Sequence, residues 1–240
     1  MIHAPAHGSP GKPWGHHIGR SRLHGRVLLA EDDADLRQLL SLELQRLGLA
    51  VEAVADGQAA VDTAQQASFH AVLMDLQMPV LDGLDATRML RLTGLAEPII
   101  ALSAHVDAET RHRALDAGCN EILAKPVSPD RLHATLAHLL GNGPDPAAAP
   151  LPIEDDPRYA TLREDFLDAL SDRIGALRRA YDSHHDRELA SLAHQLKGVA
   201  GSFGRPEITR LAGELEDLAR QTDPHHGSRG AQILAALEDD

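Results

Sequence analysis

Five short apolar runs, RVLLA from Arg26, LAVEAVA from Leu49, HAVLM from His70, PIIAL from Pro98 and EILA from Glu121, alternate with longer stretches of helical period. In the first of these stretches Leu36, Leu40, Leu44 and Leu47 fall on one side. Runs this short and this continuously apolar read as strands buried on both faces, and a helix between each pair is the crossover that parallel strands require. Residues 25–142 are therefore expected to form an α/β domain, a parallel sheet covered on both faces.

Beyond Pro157 no strand-like run occurs. Leu162, Phe166, Leu170, Ile174, Leu177 and Tyr181 repeat at helical spacing. A second helix runs through His194, Ile208, Leu211, Leu215 and Leu218 mark a third, and Ile233, Leu234 and Leu237 a short fourth. With short connections these read as an all-α antiparallel bundle over 157–240. The stretch 143–156, rich in Pro, Gly and Ala, reads as a linker. Residues 1–24 hold several His, Gly and Pro and no acidic residue, and read as a flexible tail.

Composition narrows the function. A formal net charge of -13 and only 2% aromatic residues disfavour nucleic acid and anionic membrane as partners, because neither backbone neutralisation nor base stacking is provided for. One cysteine, Cys119, permits no internal disulfide, and no apolar run is long enough to span a bilayer. The expected location is the cytoplasm.

In an open parallel sheet, ligands bind beyond the carboxyl ends of the strands. There the first run is followed by Glu31, Asp32 and Asp33, the third by Asp75, the fourth by Ser103 and the fifth by Lys125. Carboxylates converging on one edge repel one another unless a hard cation sits among them, which suggests a Mg²⁺ site. A phosphoryl group could complete the coordination, a carboxylate could attack its phosphorus to give an acyl phosphate, and Lys125 and Ser103 could take the oxygens left free. Asp33 and Asp35 stand where the first helix begins and are expected to cap it.

The motifs AEDD, MDLQMPVLDG, ALSA and LAKP, in this order and spacing, resemble the signature of the receiver domain of two-component response regulators. The resemblance implies a flavodoxin-like sheet of order 2-1-3-4-5. It also implies Asp75 as phosphoacceptor and Glu31 and Asp32 as the acidic pair that holds Mg²⁺ together with Asp75. The backbone carbonyl of Gln77 would be a further ligand, with Ser103 as switch hydroxyl and Lys125 as the lysine before Pro126. Ile122 departs from the pattern, since many receivers carry Tyr or Phe there.

On the second helix of the bundle, Leu189, Leu192, Leu196, Val199 and Phe203 form an apolar stripe about 80° wide. His194 lies about 160–180° from its middle and so is expected to face outward. Lys197, Gly198 and Gly201 share its face. Two glycines in a helix cost about 1 kcal/mol each relative to alanine, which suggests that something bulky approaches there. The run LAHQLKGVAGSFG is similar to the active helix of histidine-containing phosphotransfer (HPt) domains, four-helix bundles that relay phosphoryl groups between receivers. The similarity implies His194 as a second phosphoacceptor, Lys197 and Gln195 as groups that steady phosphate oxygens, and Gly198 and Gly201 as the surface a receiver presses against.

The chain holds no glycine-rich ATP lid and no GxxxxGK[ST] loop, so it is expected to act as a phosphotransfer protein and not as a kinase. Its expected partners are a sensor histidine kinase and a downstream response regulator receiver. Two other readings stand beside this one. The bundle could be only a docking module on a receiver that serves as switch or phosphate sink, or the chain could be the C-terminal part of a hybrid histidine kinase.

Overall fold

The computed structural model describes residues 22–141, 153–221 and 226–239. Strands β1 (Arg26–Ala30), β2 (Ala50–Val54), β3 (Ala71–Asp75), β4 (Ile99–Ser103) and β5 (Glu121–Ala124) form one parallel sheet in the order β2-β1-β3-β4-β5. Helices α1 (Ala34–Arg46), α2 (Gly57–Gln66), α3 (Gly83–Leu92), α4 (Ala108–Ala117) and α5 (Pro129–Leu139) make the crossovers. Alternate strand residues serve opposite faces: Leu29, Leu73 and Leu102 pack under α1 and α5, whereas Leu28, Met74 and Ala101 pack under α2, α3 and α4. All five residues of β3 and of β4 are buried, which is why these runs read as unbroken apolar segments.

Helices α6 (Pro157–Asp182), α7 (Asp186–Ser202), α8 (Pro206–Arg220) and α9 (His226–Asp239) form the second unit. Asp156 caps α6 by accepting from the Arg158 amide, and Pro157 takes the first helical position, where no amide hydrogen is needed. Gly204 turns the chain out of α7 with φ 74°, a left-handed conformation that a side chain disfavours. Phe166 and Phe203, two of only three phenylalanines in the chain, stack at 4.9 Å in the bundle's centre.

The two units are not separate beads. The buried cluster beneath α1 and α5 continues without a break into the bundle, joining Leu36, Leu39 and Leu40 to Phe166, Leu196 and Val199. Helix α1 packs against both α6 and α7. Periodicity could not reveal this contact, because a stripe shows that a helix face is apolar but not which neighbour covers it.

Boundaries shift at two places. The tail expected over 1–24 lies outside the described residues up to position 21, but Leu23 is fully buried and its amide donates to the Leu47 carbonyl. Of the linker expected over 143–156, residues 143–152 lie outside the described residues, while Ile153–Asp155 form a 3₁₀ turn and Asp156 is held by Arg46 of α1 at 3.1 Å. No helix among the described residues is long and apolar enough to cross a membrane.

Candidate functional site

The carboxyl ends of β1 and β3 lie side by side where the strand order reverses, and an acidic pocket opens there. Asp33 caps α1, accepting from the amides of Asp35 at 3.0 Å and Leu36 at 2.9 Å, so it holds the turn that presents its two predecessors. Glu31, Asp32 and Asp75 then bring one carboxylate oxygen each within 4.8 Å of one another, a group that could hold a metal ion. Lys125, from the end of β5, reaches into the same pocket, its Nζ at 2.7 Å from Glu31 and 2.9 Å from Asp75. All three of these side chains are buried.

Burial pushes the Glu31 carboxyl up to about 8, with the Lys125 ammonium opposing and the Asp75 charge adding to the rise. Lys125 moves upward as well: burial acts against its charge, but Asp75 and Glu31 outweigh it and hold the proton on the amine. Burial also raises Asp32, against a hydrogen bond from Gln195. The pocket thus concentrates negative charge around a single fixed cation and would gain from a second one.

The motif around Asp75 has a steric logic. A Cβ on Gly83 would stand 1.9 Å from the Asp75 carbonyl oxygen, so only glycine lets α3 start this close to the end of β3. Asp82 caps that helix through the Asp85 amide. The Gln77 amide donates to Asp75 Oδ1 at 3.1 Å, which sets the backbone of residue 77 beside the carboxylate. Ser103 donates its hydroxyl hydrogen to the His105 carbonyl at 2.7 Å, turned into its own loop. Ile122, in place of an aromatic residue, is 2% exposed and belongs to the core.

His194 departs from expectation. It does not stand free in solvent but is buried at 8% exposure. Its Nδ1 is 2.9 Å from the Glu216 carboxylate on α8, while Nε2 is buried without a hydrogen-bond partner. An ionised carboxylate can only accept, so Nδ1 carries the proton and Nε2 keeps the lone pair. Burial pushes Glu216 up, but the hydrogen bond from His194 and the charges of Lys197 and Arg220 pull it down to about 2. Lys197 stands on the same face, its Nζ 3.3 Å from Glu216, where it neutralises the carboxylate that orients the imidazole. Arg220 completes the set at 2.6 Å from Glu216.

What covers the His194 face is the acidic pocket's own rim. Gln195 donates its side-chain amide to Asp32 at 2.7 Å. A Cβ on Gly198 would meet Lys125 and Leu36 at ordinary contact distance, and one on Gly201 would stand 2.9 Å from the Pro126 ring. The two glycines therefore do admit a close neighbour, and it is the first domain of the same chain. A cleft of about 380 Å³ remains between the units, lined by His194, Gln195, Asp32, Gln77, Arg187 and Arg220 among others.

Two residues were not found from the sequence. Glu216 lies on a different helix from His194, and no local pattern links them. Arg173 of α6 spans the domains, with Nη1 2.7 Å from Asp33 and Nη2 2.6 Å from Asp35. A lone arginine on a charged helix face carries no signal of that kind.

Comparisons with known proteins divide the chain in the same way. The family model described as response regulator receiver domain matches residues 27–137, and that described as Hpt domain matches 161–239. Sensor protein GacS of Pseudomonas syringae pv. syringae is 30% identical over 83% of this chain and 25% of its own length. Transcription factor SKN7 of Saccharomyces cerevisiae is 41% identical over 48% of this chain and 18% of its own. The chain thus spans a quarter or less of the length of these relatives. Among solved structures, the receiver domain of sensor histidine kinase PA1611 from Pseudomonas aeruginosa PAO1, with a magnesium ion coordinated in its active site cleft, is 38% identical over 50% of this chain and 100% of that one, with a TM-score of 0.47.

Proposed function

This chain joins a response regulator receiver domain to an Hpt domain, and from that premise we propose that it is a two-station phosphorelay element in which Asp75 and His194 carry the phosphoryl group in turn. Asp75 accepts it from a sensor histidine kinase. His194 exchanges it with a receiver, first of all the one on its own chain. The observation that carries this reading is the Gln195–Asp32 hydrogen bond, which docks the His194 helix directly on the acidic pocket.

Glu31, Asp32 and Asp75 offer hard oxygen donors of the kind Mg²⁺ takes, and the backbone carbonyl of Gln77 would be a further ligand. When bound, Mg²⁺ supplies positive charge to the phosphoryl oxygens. The chain's own groups do the rest. Lys125 offers a fixed ammonium to one oxygen, and Ser103 offers its hydroxyl to another once it leaves the His105 carbonyl. In the transfer the bond from phosphorus to the Asp75 oxygen breaks with its electron pair returning to the carboxylate, and a bond from phosphorus to His194 Nε2 forms. The Nδ1 proton stays on the ring, held by Glu216, so the phosphorylated imidazolium keeps a paired charge. The Gln195 amide, at present on Asp32, lies near enough to the pocket to pass to a phosphoryl oxygen.

Supply of a phosphorylated kinase with Mg²⁺ tests the reading. Wild-type protein is expected to gain two labels, an alkali-labile acyl phosphate and an alkali-stable phosphohistidine. Asp75→Ala is expected to lose both, and His194→Gln only the second. Full labelling of His194 in Asp75→Ala would rule out the internal route, and absence of any alkali-stable label on wild type would leave the bundle a docking module. Similarity to a sensor protein across both domains favours a second reading, in which this pair is the receiving part of a hybrid histidine kinase. Transfer rates against a panel of kinases separate the two, since a free-standing element accepts from a kinase on another chain.

A further inference from the structure

The relay reading leaves open why His194 should serve this receiver in preference to any other, and Arg173 addresses that question. It lies on α6, away from both phosphoacceptors, yet its guanidinium forks across Asp33 and Asp35 at the start of α1, one nitrogen to each carboxylate. The pair is largely enclosed: Arg173 is 25% exposed, Asp33 5% and Asp35 20%. The arginine is also held from behind, its guanidinium 5.9 Å from the ring of Phe166, which stacks on Phe203 at the end of the His194 helix. Asp33 in turn is the cap of α1 and shares its turn with Asp32, to which Gln195 is bonded. One rigid chain of contacts therefore runs from the bundle core through Arg173 to the acidic pocket.

A forked guanidinium on two carboxylates is geometrically selective, and an enclosed one left without partners is costly. A receiver lacking acids at both positions would leave Arg173 half-buried and unpaired against its α1. Tethering raises the local concentration of the chain's own receiver, but a tether alone does not fix orientation.

We propose that Arg173, through its fork on Asp33 and Asp35, is the specificity-determining residue that makes the receiver of the same chain the partner of His194. This rests on the relay reading above, and the test separates the two. The full chain is charged with acetyl phosphate and Mg²⁺, and the alkali-stable label is followed over a hundredfold range of protein concentration, with the alkali-labile label on Asp75 as a check that the receiver is folded. In wild type the rate of histidine labelling is expected not to depend on concentration. Arg173→Glu is expected to keep Asp75 labelling, to lower histidine labelling at least about tenfold at the lowest concentration, and to make it rise with concentration as transfer passes between chains. Arg173→Lys, which cannot fork, is expected to fall between the two. Adding Asp35→Arg to Arg173→Glu restores one opposed pair and is expected to recover part of the concentration-independent rate, a rescue that mere damage to α6 would not allow.

Wild-type behaviour of Arg173→Glu would overturn the proposal, for the tether alone would then suffice. Failure of the charge swap to recover any rate would overturn it too. Absence of alkali-stable label on wild type is a different result, which removes the relay reading and this proposal together.

Discussion

At the scale of single residues, the decisive group is one the sequence does not mark. Glu216 fixes the tautomer of His194 and is itself held by Lys197 and Arg220. Removing a partner that orients a metal-bound imidazole lowers activity by about 10- to 100-fold, and the orienting role of Glu216 is of the same kind. Glu216→Ala is expected to slow phosphohistidine formation by that order while leaving Asp75 labelling intact. Nitrogen NMR of the imidazole should then report a mixture of tautomers in place of the single Nδ1–H form. The same carboxylate sets a pH dependence whose sign follows from its depressed value. Its ordinary value of 4.5 falls to about 2 in the folded protein, so its contribution to stability is fully present above about 4.5 and is lost as pH falls toward 2. Urea midpoints of wild type and Glu216→Gln should differ most near neutrality and converge across that acid window.

At the scale of elements, two glycines act in opposite ways. Gly83 is a packing necessity at the start of α3, since a Cβ there would strike the Asp75 carbonyl at 1.9 Å. Gly83→Ala is expected to lower stability by about 1–3 kcal/mol or more, as overpacking does, and to displace the phosphoacceptor strand end. Gly201 costs its own helix about 1 kcal/mol relative to alanine and gives the approach to Pro126 in return. A Cβ there would also stand 3.1 Å from Thr209 Oγ1 of α8, so the smallest change, Gly201→Ala, is the one expected to weaken docking of the bundle on the receiver, read as faster hydrogen exchange along α1. The MDLQMPVLDG and LAKP motifs were legible as a site because each sets its residue at the carboxyl end of a strand, Asp75 on β3 and Lys125 after β5, along one edge of the same parallel sheet. Helix α7 is legible only in part: its stripe and the two glycines mark one packed face and one face cleared for a neighbour, but not that the neighbour is the receiver of the same chain.

At the scale of the whole molecule, docking and cation binding meet at Asp32. One carboxylate oxygen accepts from Gln195 while the residue belongs to the cluster that could hold a metal ion. Gln195→Ala releases that carboxylate and is expected to tighten Mg²⁺ binding about threefold by calorimetry, the scale of one net hydrogen bond. A larger molecular envelope should accompany it in small-angle scattering. An unchanged Mg²⁺ affinity would mean that the amide and the cation use different oxygens without competing. The shared apolar core of α1, α6 and α7 implies that the two domains unfold as coupled units, and that a truncation between them would expose Leu36, Leu39 and Leu40.

The sequence by itself determined the two fold classes, the parallel sheet with its acidic strand ends, and the identity of both phosphoacceptor candidates. These depend on local periodicity and on short motifs whose residues are neighbours along the chain. Only the tertiary structure decided that the His194 face is covered by the chain's own receiver, that Glu216 orients the imidazole, and that Arg173 joins the domains. Each of these is a contact between elements far apart in sequence, and burial of a charged group is favourable only where a specific partner meets it, which no periodicity encodes.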